Sequence, residues 1–234
     1  MPDLLVPHRF CGPPSSGNGG WTAGALAALT GADPALGVTV SLLAPPPLDV
    51  EMDVEVVGTT AVATYGGAPV ARAEPAPSRA PEVEIDPVPA DEARAAQASY
   101  AGLRAHPFPT CYSCGTDRAD GLRIFPGQVA SQAGRARVAA TWTPAESDLA
   151  TTWAALDCVG GWAGDLEERL MVLARMTAWV EELPEVGAEH VVLGLGGAVD
   201  GRKTHTSSAL VGPDGRVVGR AEHLWVAVDP ARFA

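Results

Sequence analysis

Leu156-Asp157-Cys158-Val159-Gly160-Gly161-Trp162-Ala163-Gly164 contains a Gly-Gly-Trp triplet that also occurs in Gly17-Asn18-Gly19-Gly20-Trp21-Thr22-Ala23-Gly24. The triplet begins at residue 19 in one copy and at residue 160 in the other, a separation of 141. A second pair of similar segments, 70–74 and 218–222, follows in the same order at a separation of 148. This period is too long for a solenoid. It predicts that one folding unit is present twice.

Each unit is predicted to hold one helix followed by antiparallel strands. In the first unit, apolar residues at helical spacing predict a helix over 17–29, and strict alternation over 49–57 predicts a half-buried strand with a wet face. In the second unit we predict a helix over 157–170. A lead strand at 135–143 precedes it, and strands at 173–180, 189–195, 206–211 and 217–228 follow. Helix and strands segregated in this way indicate an α+β fold in which each sheet wraps round its helix.

The chain divides at a proline-rich stretch between the two copies. Residues 1–75 form the predicted first unit and residues 106–234 the predicted second unit. The linker, 76–105, begins with several prolines, which cannot continue a strand ladder. Its second half is rich in alanine and is predicted to contain a short helix.

Composition excludes several classes of protein. Of the 234 residues, 47% are hydrophobic and 19% charged, which excludes a chain that is disordered throughout. A formal net charge of −12 argues against nucleic acid and anionic membranes as partners. The sequence has no apolar run long enough for a membrane helix, and residues 1–10 lack the pattern of a signal peptide. We therefore expect a cytoplasmic protein.

The two Gly-Gly-Trp segments and the strands after each resemble the double hotdog proteins of the acyl-CoA thioesterase type. The stretch His106-Pro107-Phe108-Pro109-Thr110-Cys111-Tyr112-Ser113-Cys114-Gly115, with 120–127, is similar to bacterial members described as thioesterase-like. The resemblance implies a tandem hotdog fold and an acyl-CoA or similar thioester as substrate, with no cofactor beyond the CoA of that substrate. Because hotdog sheets leave edges that can pair, we also expect a homodimer.

The same fold leaves other functions open. A non-catalytic protein that binds acyl-CoA or a small hydrophobic ligand is the alternative to a thioester hydrolase. A dehydratase would need a histidine on a hotdog helix, and neither predicted helix has one. The sequence therefore favours the first two functions.

For a thioesterase, the resemblance implies a carboxylate near a central helix, and Asp157 is the first candidate. A carboxylate placed just before the Gly160-Gly161 helix start could orient a water molecule, although aspartate is also a common N-cap. Asp165 is the second candidate. The corresponding position of the first unit is Ser16, and Asn18 could either donate to a carbonyl or cap its helix. This asymmetry predicts one competent site rather than two, and it also fits the alternative that neither unit is competent.

Other predicted contacts to the substrate come from helix starts and one loop. Backbone N–H groups at the helix N-termini would form the oxyanion hole, and basic residues would hold the phosphates of CoA or lie in a solvated loop. The residues predicted to contact the substrate are Gly19, Gly20, Gly160, Gly161, Trp162, Arg202 and Lys203.

The cysteines permit two interpretations. Four zinc ligands can be proposed from Cys111, Cys114, His106 and Cys11, but the spacing is not that of a common zinc module. Buried apolar thiols are the favoured interpretation, and Cys158 is expected to be a small core residue. We therefore assign no metal site from the sequence.

Overall fold

One antiparallel sheet of 11 strands runs through the computed structural model, which describes residues 2–229 and 231. In chain order the helices and strands are β1 Asp3–Leu5, α1 Gly19–Leu29, β2 Val38–Leu42, β3 Glu51–Val57, β4 Thr60–Tyr65, β5 Ala68–Pro75, α2 Ala90–Ala96, β6 Gly127–Gln132, β7 Arg135–Trp142, α3 Leu149–Ala163, β8 Met171–Val180, β9 His190–Asp200, β10 Lys203–Val211 and β11 Val217–Ala227.

The order of the strands repeats the same arrangement on both sides of a central seam. Across the sheet the order is β1-β3-β4-β5-β2-β8-β11-β10-β9-β7-β6. Read outward from the β2–β8 seam, it is β2-β5-β4-β3 in one unit and β8-β11-β10-β9 in the other. A helix precedes the seam strand in each unit, and the seam pairs β2 with β8 antiparallel. The predicted tandem hotdog architecture is confirmed.

The two long helices pack against the sheet and against each other. α1 contacts β2, β4, β5 and β8, α3 contacts β7 to β11, and the two helices have an extensive mutual contact. Their close approach depends on glycine, because a Cβ built on Gly24 would lie 2.7 Å from the Cβ of Trp153. The pair of helices and the inner face of the sheet form one continuous apolar core.

The predicted start of the second helix is wrong. α3 begins at Leu149, and Asp148 caps it by accepting a hydrogen bond of 2.6 Å from the Thr151 N–H. It ends at Ala163 with Gly164 as the C-cap, and Asp165 follows in a left-handed conformation with a φ of 73°. α3 is buried along almost its whole length. It therefore has no polar face from which its limits could be inferred.

The first Gly-Gly-Trp copy begins α1, whereas the second lies in the last turn of α3, so the two copies are not structurally equivalent. The second pair of repeated segments is equivalent, because 70–74 lies in β5 and 218–222 in β11. The alternation predicted over 49–57 is confirmed in β3, where Met52 and Val54 are buried between exposed acidic residues.

The segment 82–96 covers the outer face of the second unit. Val88 and Ala93 pack on Ala139, Leu193 and Ala209 in a second apolar cluster. The outermost strands of the sheet are β1 and β6. The homodimer and the unit boundaries at 75 and 105 stay predictions. Among the described residues, no helix combines the length and the apolar character needed to cross a bilayer.

Candidate functional site

A cavity of about 230 Å³ lies at the N-terminus of α1. One wall is apolar. It consists of 42–46, the last residue of β2 and the loop after it, and of 171–174 at the start of β8. The other wall carries the polar groups: Asn18, Gly19, Asp157 and three cysteines. The cavity therefore combines an apolar chamber with a few convergent polar groups, as small-molecule sites do.

Asp157 joins the two units at this point. It lies in the third turn of α3, is 2% exposed, and accepts a hydrogen bond of 2.9 Å at Oδ2 from the Gly20 N–H. A carboxylate of the second unit therefore caps the helix of the first unit. Within the described residues, the buried Oδ1 atom has no hydrogen-bond partner.

Opposing effects act on the charge of this carboxyl group. Burial raises the pKa of Asp157 to about 7, and the nearby Cys111 acts in the same direction. The Gly20 N–H and the Asn18 amide act against this increase in the pKa, because both stabilise the charged form. The positive end of the α1 dipole faces the same group.

Asn18 is the N-cap of α1. Its Oδ1 accepts a hydrogen bond of 2.8 Å from the Trp21 N–H, which fixes the orientation of the amide. The Nδ2 atom consequently points at two sulfur atoms, Cys111 Sγ at 3.6 Å and Cys158 Sγ at 3.9 Å. The capping role weighed in the sequence is confirmed. Because both ends of the amide are engaged, Asn18 is poorly placed to donate to a substrate carbonyl.

Three N–H groups of the first turn of α1 have partners. Gly20 donates to Asp157, Trp21 donates to the Asn18 side chain, and Thr22 donates to the Asn18 carbonyl. Gly19 opens the helix, so its N–H has no acceptor within it. Gly19 lines the cavity beside Asp157.

Three cysteines converge on the same wall of the cavity. The Sγ atoms of Cys111, Cys114 and Cys158 all lie within 4.8 Å of one another, and Cys111 and Cys158 are 3.6 Å apart. Hydrogen bonds from the other two thiols lower the pKa of Cys111 well below its usual value. The pKa of Cys114 is raised, mainly by burial, and that of Cys158 is raised, mainly by its contact with Cys111.

All four cysteines are free and buried, as expected, but the four ligands proposed from the sequence do not assemble. Cys11 donates instead to the Thr110 carbonyl. The His106 ring uses both nitrogens locally, with Nε2 3.1 Å from the Cys114 carbonyl and Nδ1 accepting from the Phe108 N–H. The third sulfur beside Cys111 and Cys114 comes instead from Cys158, which is 47 residues from Cys111 in the sequence.

The remaining predicted residues lie elsewhere. A Cβ on Gly160 would meet His223 and Thr206, and one on Gly161 would meet Trp225, so these glycines permit close helix–sheet packing. They end α3 rather than begin it, because the helix starts earlier than expected. They therefore do not present N–H groups to the cavity.

Trp162, Arg202 and Lys203 do not line the cavity either. Trp162 packs edge-on against Tyr100 and His106. Arg202 and Lys203 are exposed at the turn between β9 and β10. The apolar wall at 42–46 was not predicted, since nothing in its prolines and leucines distinguishes it from a surface loop.

No protein-family model matches the chain, and no curated protein matches it. Several solved structures are similar to it over nearly the whole chain. The tesB protein of Mycobacterium avium subs paratuberculosis is 16% identical, with 97% of this chain and 91% of that chain covered and a TM-score of 0.61. A conserved protein of unknown function with a hot dog fold from Alicyclobacillus acidocaldarius is 15% identical, with 97% and 93% covered and a TM-score of 0.63.

The acyl-CoA thioesterase II TesB2 of Mycobacterium marinum is 9% identical, with 98% of this chain and 93% of that chain covered and a TM-score of 0.58. These similarities extend over both units of each chain. Together with the repeated strand order, they show that the chain has a double hotdog fold. At such low identity they define the fold and leave the chemistry to the residues of the site.

Proposed function

We propose that this protein hydrolyses acyl thioesters in the cavity, with Asp157 as the general base. The observation that carries the proposal is the position of this carboxylate. It is buried, one oxygen accepts from the Gly20 N–H, and the other oxygen has no hydrogen-bond partner among the described residues, while Asp157 lines the largely apolar cavity. A carboxylate that only capped a helix would not need to lie beside a cavity.

The reaction needs two groups at the thioester carbonyl. The Gly19 N–H, at the positive end of α1, would donate to the carbonyl oxygen as negative charge develops on it. Asp157 Oδ1 would accept a proton from a water molecule that attacks the carbonyl carbon. The C–S bond then breaks, the proton passes to the departing sulfur, and the products are a carboxylic acid and a thiol.

The volume of the cavity suggests the size of the acyl group. An apolar protein cavity of about 150 Å³ holds a benzene molecule. A cavity of about 230 Å³ therefore suits a short or single-ring acyl group better than a long chain. Leu42, Leu173 and Trp225 would contact that group.

Coenzyme A is the thiol carrier that we propose. The proposal is supported by the fold, which the chain shares with the acyl-CoA thioesterase II of M. marinum. We propose that Arg202 and Lys203 bind the phosphates of coenzyme A. Because neither residue lines the cavity, the pantetheine arm would have to reach from the cavity to them.

The test is hydrolysis of short, aromatic and long acyl-CoA thioesters by the wild-type protein and by Asp157→Asn. Asp165→Asn is the matched control, because it makes the same chemical change at an exposed residue outside the cavity. We expect turnover of short or aromatic thioesters, a fall of ~100-fold or more for Asp157→Asn, and no change for Asp165→Asn. Saturable acyl-CoA binding without turnover would instead assign the protein to the non-catalytic binders. Equal turnover in all three proteins would exclude Asp157 as the base.

A further inference from the structure

We propose that Cys111, Cys114 and Cys158 bind one zinc ion, with the fourth coordination position open to the cavity. The proposal does not rest on thioester hydrolysis, although the site shares its cavity, and its test requires no substrate. It differs from the ligand set that can be proposed from the sequence, because Cys158 on α3 supplies the third sulfur.

The spacing of the sulfurs fits the metal. Zinc binds thiolate sulfur at about 2.3 Å in tetrahedral sites, which places two sulfurs of one site about 3.8 Å apart. Cys111 Sγ and Cys158 Sγ are 3.6 Å apart, and all three sulfurs lie within 4.8 Å. Small side-chain adjustments would therefore complete three corners of a tetrahedron.

The surroundings supply hydrogen-bond donors to two of the sulfurs. The Asn18 amide, fixed by its capping bond to Trp21, directs its Nδ2 at Cys111 and Cys158. The backbone N–H groups of Ser113 and Cys114 also interact with the Cys111 sulfur. Donors of this kind, oriented by a surrounding network, are the usual outer shell of a metal site.

Within the described residues, no lysine or arginine lines the cavity to balance the charge of the cluster. Arg118 does contact a sulfur, but that sulfur belongs to Cys11, outside the cluster. Three thiolates this close would repel one another strongly. A divalent cation that prefers sulfur removes the repulsion, and zinc is the common ion of this type.

The loop that carries two of the ligands is rigidly built. The Cys111 N–H donates to the Phe108 carbonyl, and the Gly115 N–H donates to the Cys111 carbonyl. A Cβ on Gly115 would lie only 2.5 Å from that carbonyl oxygen, so the turn requires glycine there. The sequence Cys111-x-x-Cys114-Gly115 thus forms a tight turn that directs both sulfurs at α3.

The fourth position faces the cavity, because all three cysteines line it. Asn18 and Asp157 line the same cavity, and a zinc site with three protein ligands keeps its fourth position for water or a ligand atom. An electron-donating oxygen or sulfur of a bound molecule could take that position.

The experiment measures metal content and cobalt spectra on the full-length chain. The wild type, purified under reducing conditions with zinc in the medium, is analysed for metal by elemental analysis and then reloaded with Co²⁺. Cys111→Ser, Cys114→Ser and Cys158→Ser test the ligands. Cys11→Ser is the matched control, because Cys11 is also a buried free cysteine but lies outside the cluster.

We expect about one zinc per chain in the wild type and in Cys11→Ser, and a loss of ~10-fold or more in zinc affinity in each of the other variants. Co²⁺ should give a thiolate charge-transfer band that the ligand variants weaken. If a ligand variant fails to fold, the metal content and the cobalt spectrum of the wild type still decide the question. Wild-type protein without metal and without the cobalt band, or a Cys111–Cys158 disulfide found by mass spectrometry in reduced preparations, would overturn the proposal. So would full zinc content in folded Cys158→Ser.

Discussion

Replacing Asp157 in two different ways separates its structural role from its chemical role. Asp157→Asn keeps an oxygen that can accept from the Gly20 N–H, whereas Asp157→Ala leaves that buried N–H without an acceptor. An unpaired buried donor costs about 1–3 kcal/mol, so Asp157→Ala should lower the free energy of unfolding by roughly that amount. Asp157→Asn should change it by less than about 1 kcal/mol, since the hydrogen bond survives. Turnover should fall ~100-fold or more in both variants, because neither retains a base.

The assay pairs urea unfolding with initial rates of thioester hydrolysis on the same preparations. A residue that only caps α1 would give a different pattern: Asp157→Asn would keep wild-type turnover, and Asp157→Ala would lose stability alone. More than about half of the wild-type kcat in Asp157→Asn would therefore refute the assignment of the base. A loss of stability in Asp157→Asn equal to that in Asp157→Ala would refute the hydrogen-bond argument.

Three further predictions concern packing, pH and the cavity. Gly24→Ala should cost about 1–3 kcal/mol in urea unfolding, because its Cβ would lie 2.7 Å from the Cβ of Trp153; an unchanged free energy would mean that the helices can separate. Burial lowers the pKa of His223 to about 4, so between about pH 7.5 and about pH 5 protonation of this residue in the unfolded chain should cost about 2 kcal/mol of stability. The raised pKa of Asp157 acts in the opposite direction over the same range, so the effect is measured as a difference between variants. On acidification the wild type and the exposed-site variant His205→Gln should each lose about 2 kcal/mol relative to His223→Gln, and equal changes in urea unfolding would contradict the prediction. Leu173→Ala should enlarge the cavity and raise kcat/KM for larger acyl groups relative to short ones. An unchanged ratio of the two kcat/KM values would contradict this prediction.

The sequence predicted those parts of the fold that local patterns encode. Alternation along β3 identified a strand with one wet face, and the second pair of repeated segments located β5 and β11 in equivalent places. The first turn of α1 could also be inferred, because Asn18 is a typical N-cap. The start of α3 could not, since a helix buried on nearly every side carries no amphipathic period.

The site depends on contacts between residues that are distant in the sequence. Asp157 was selected for the wrong reason: the sequence placed it at the start of its own helix, whereas the structure places it at the start of the other one. Its partner Gly20 is 137 residues away, and Cys158 is 47 residues from Cys111. No local spacing reports such pairs. The three cysteines could have been considered as one set, but only the crossing of α3 with the 106–115 loop shows that they converge.

In the part of the chain that the structure describes, the two long helices of the duplicated fold begin in different surroundings. Where α1 begins, α3 presents Asp157 to Gly20, and the carboxylate of one unit reaches the helix of the other. Where α3 begins, α1 presents Gly24 to the first turn, and the capping group is Asp148 from the same chain segment. Among the described residues, the carboxylate at the start of α3 therefore comes from its own unit. For this reason we expect one site per chain, and active-site titration with a tight-binding thioester analogue should saturate at about one equivalent rather than two.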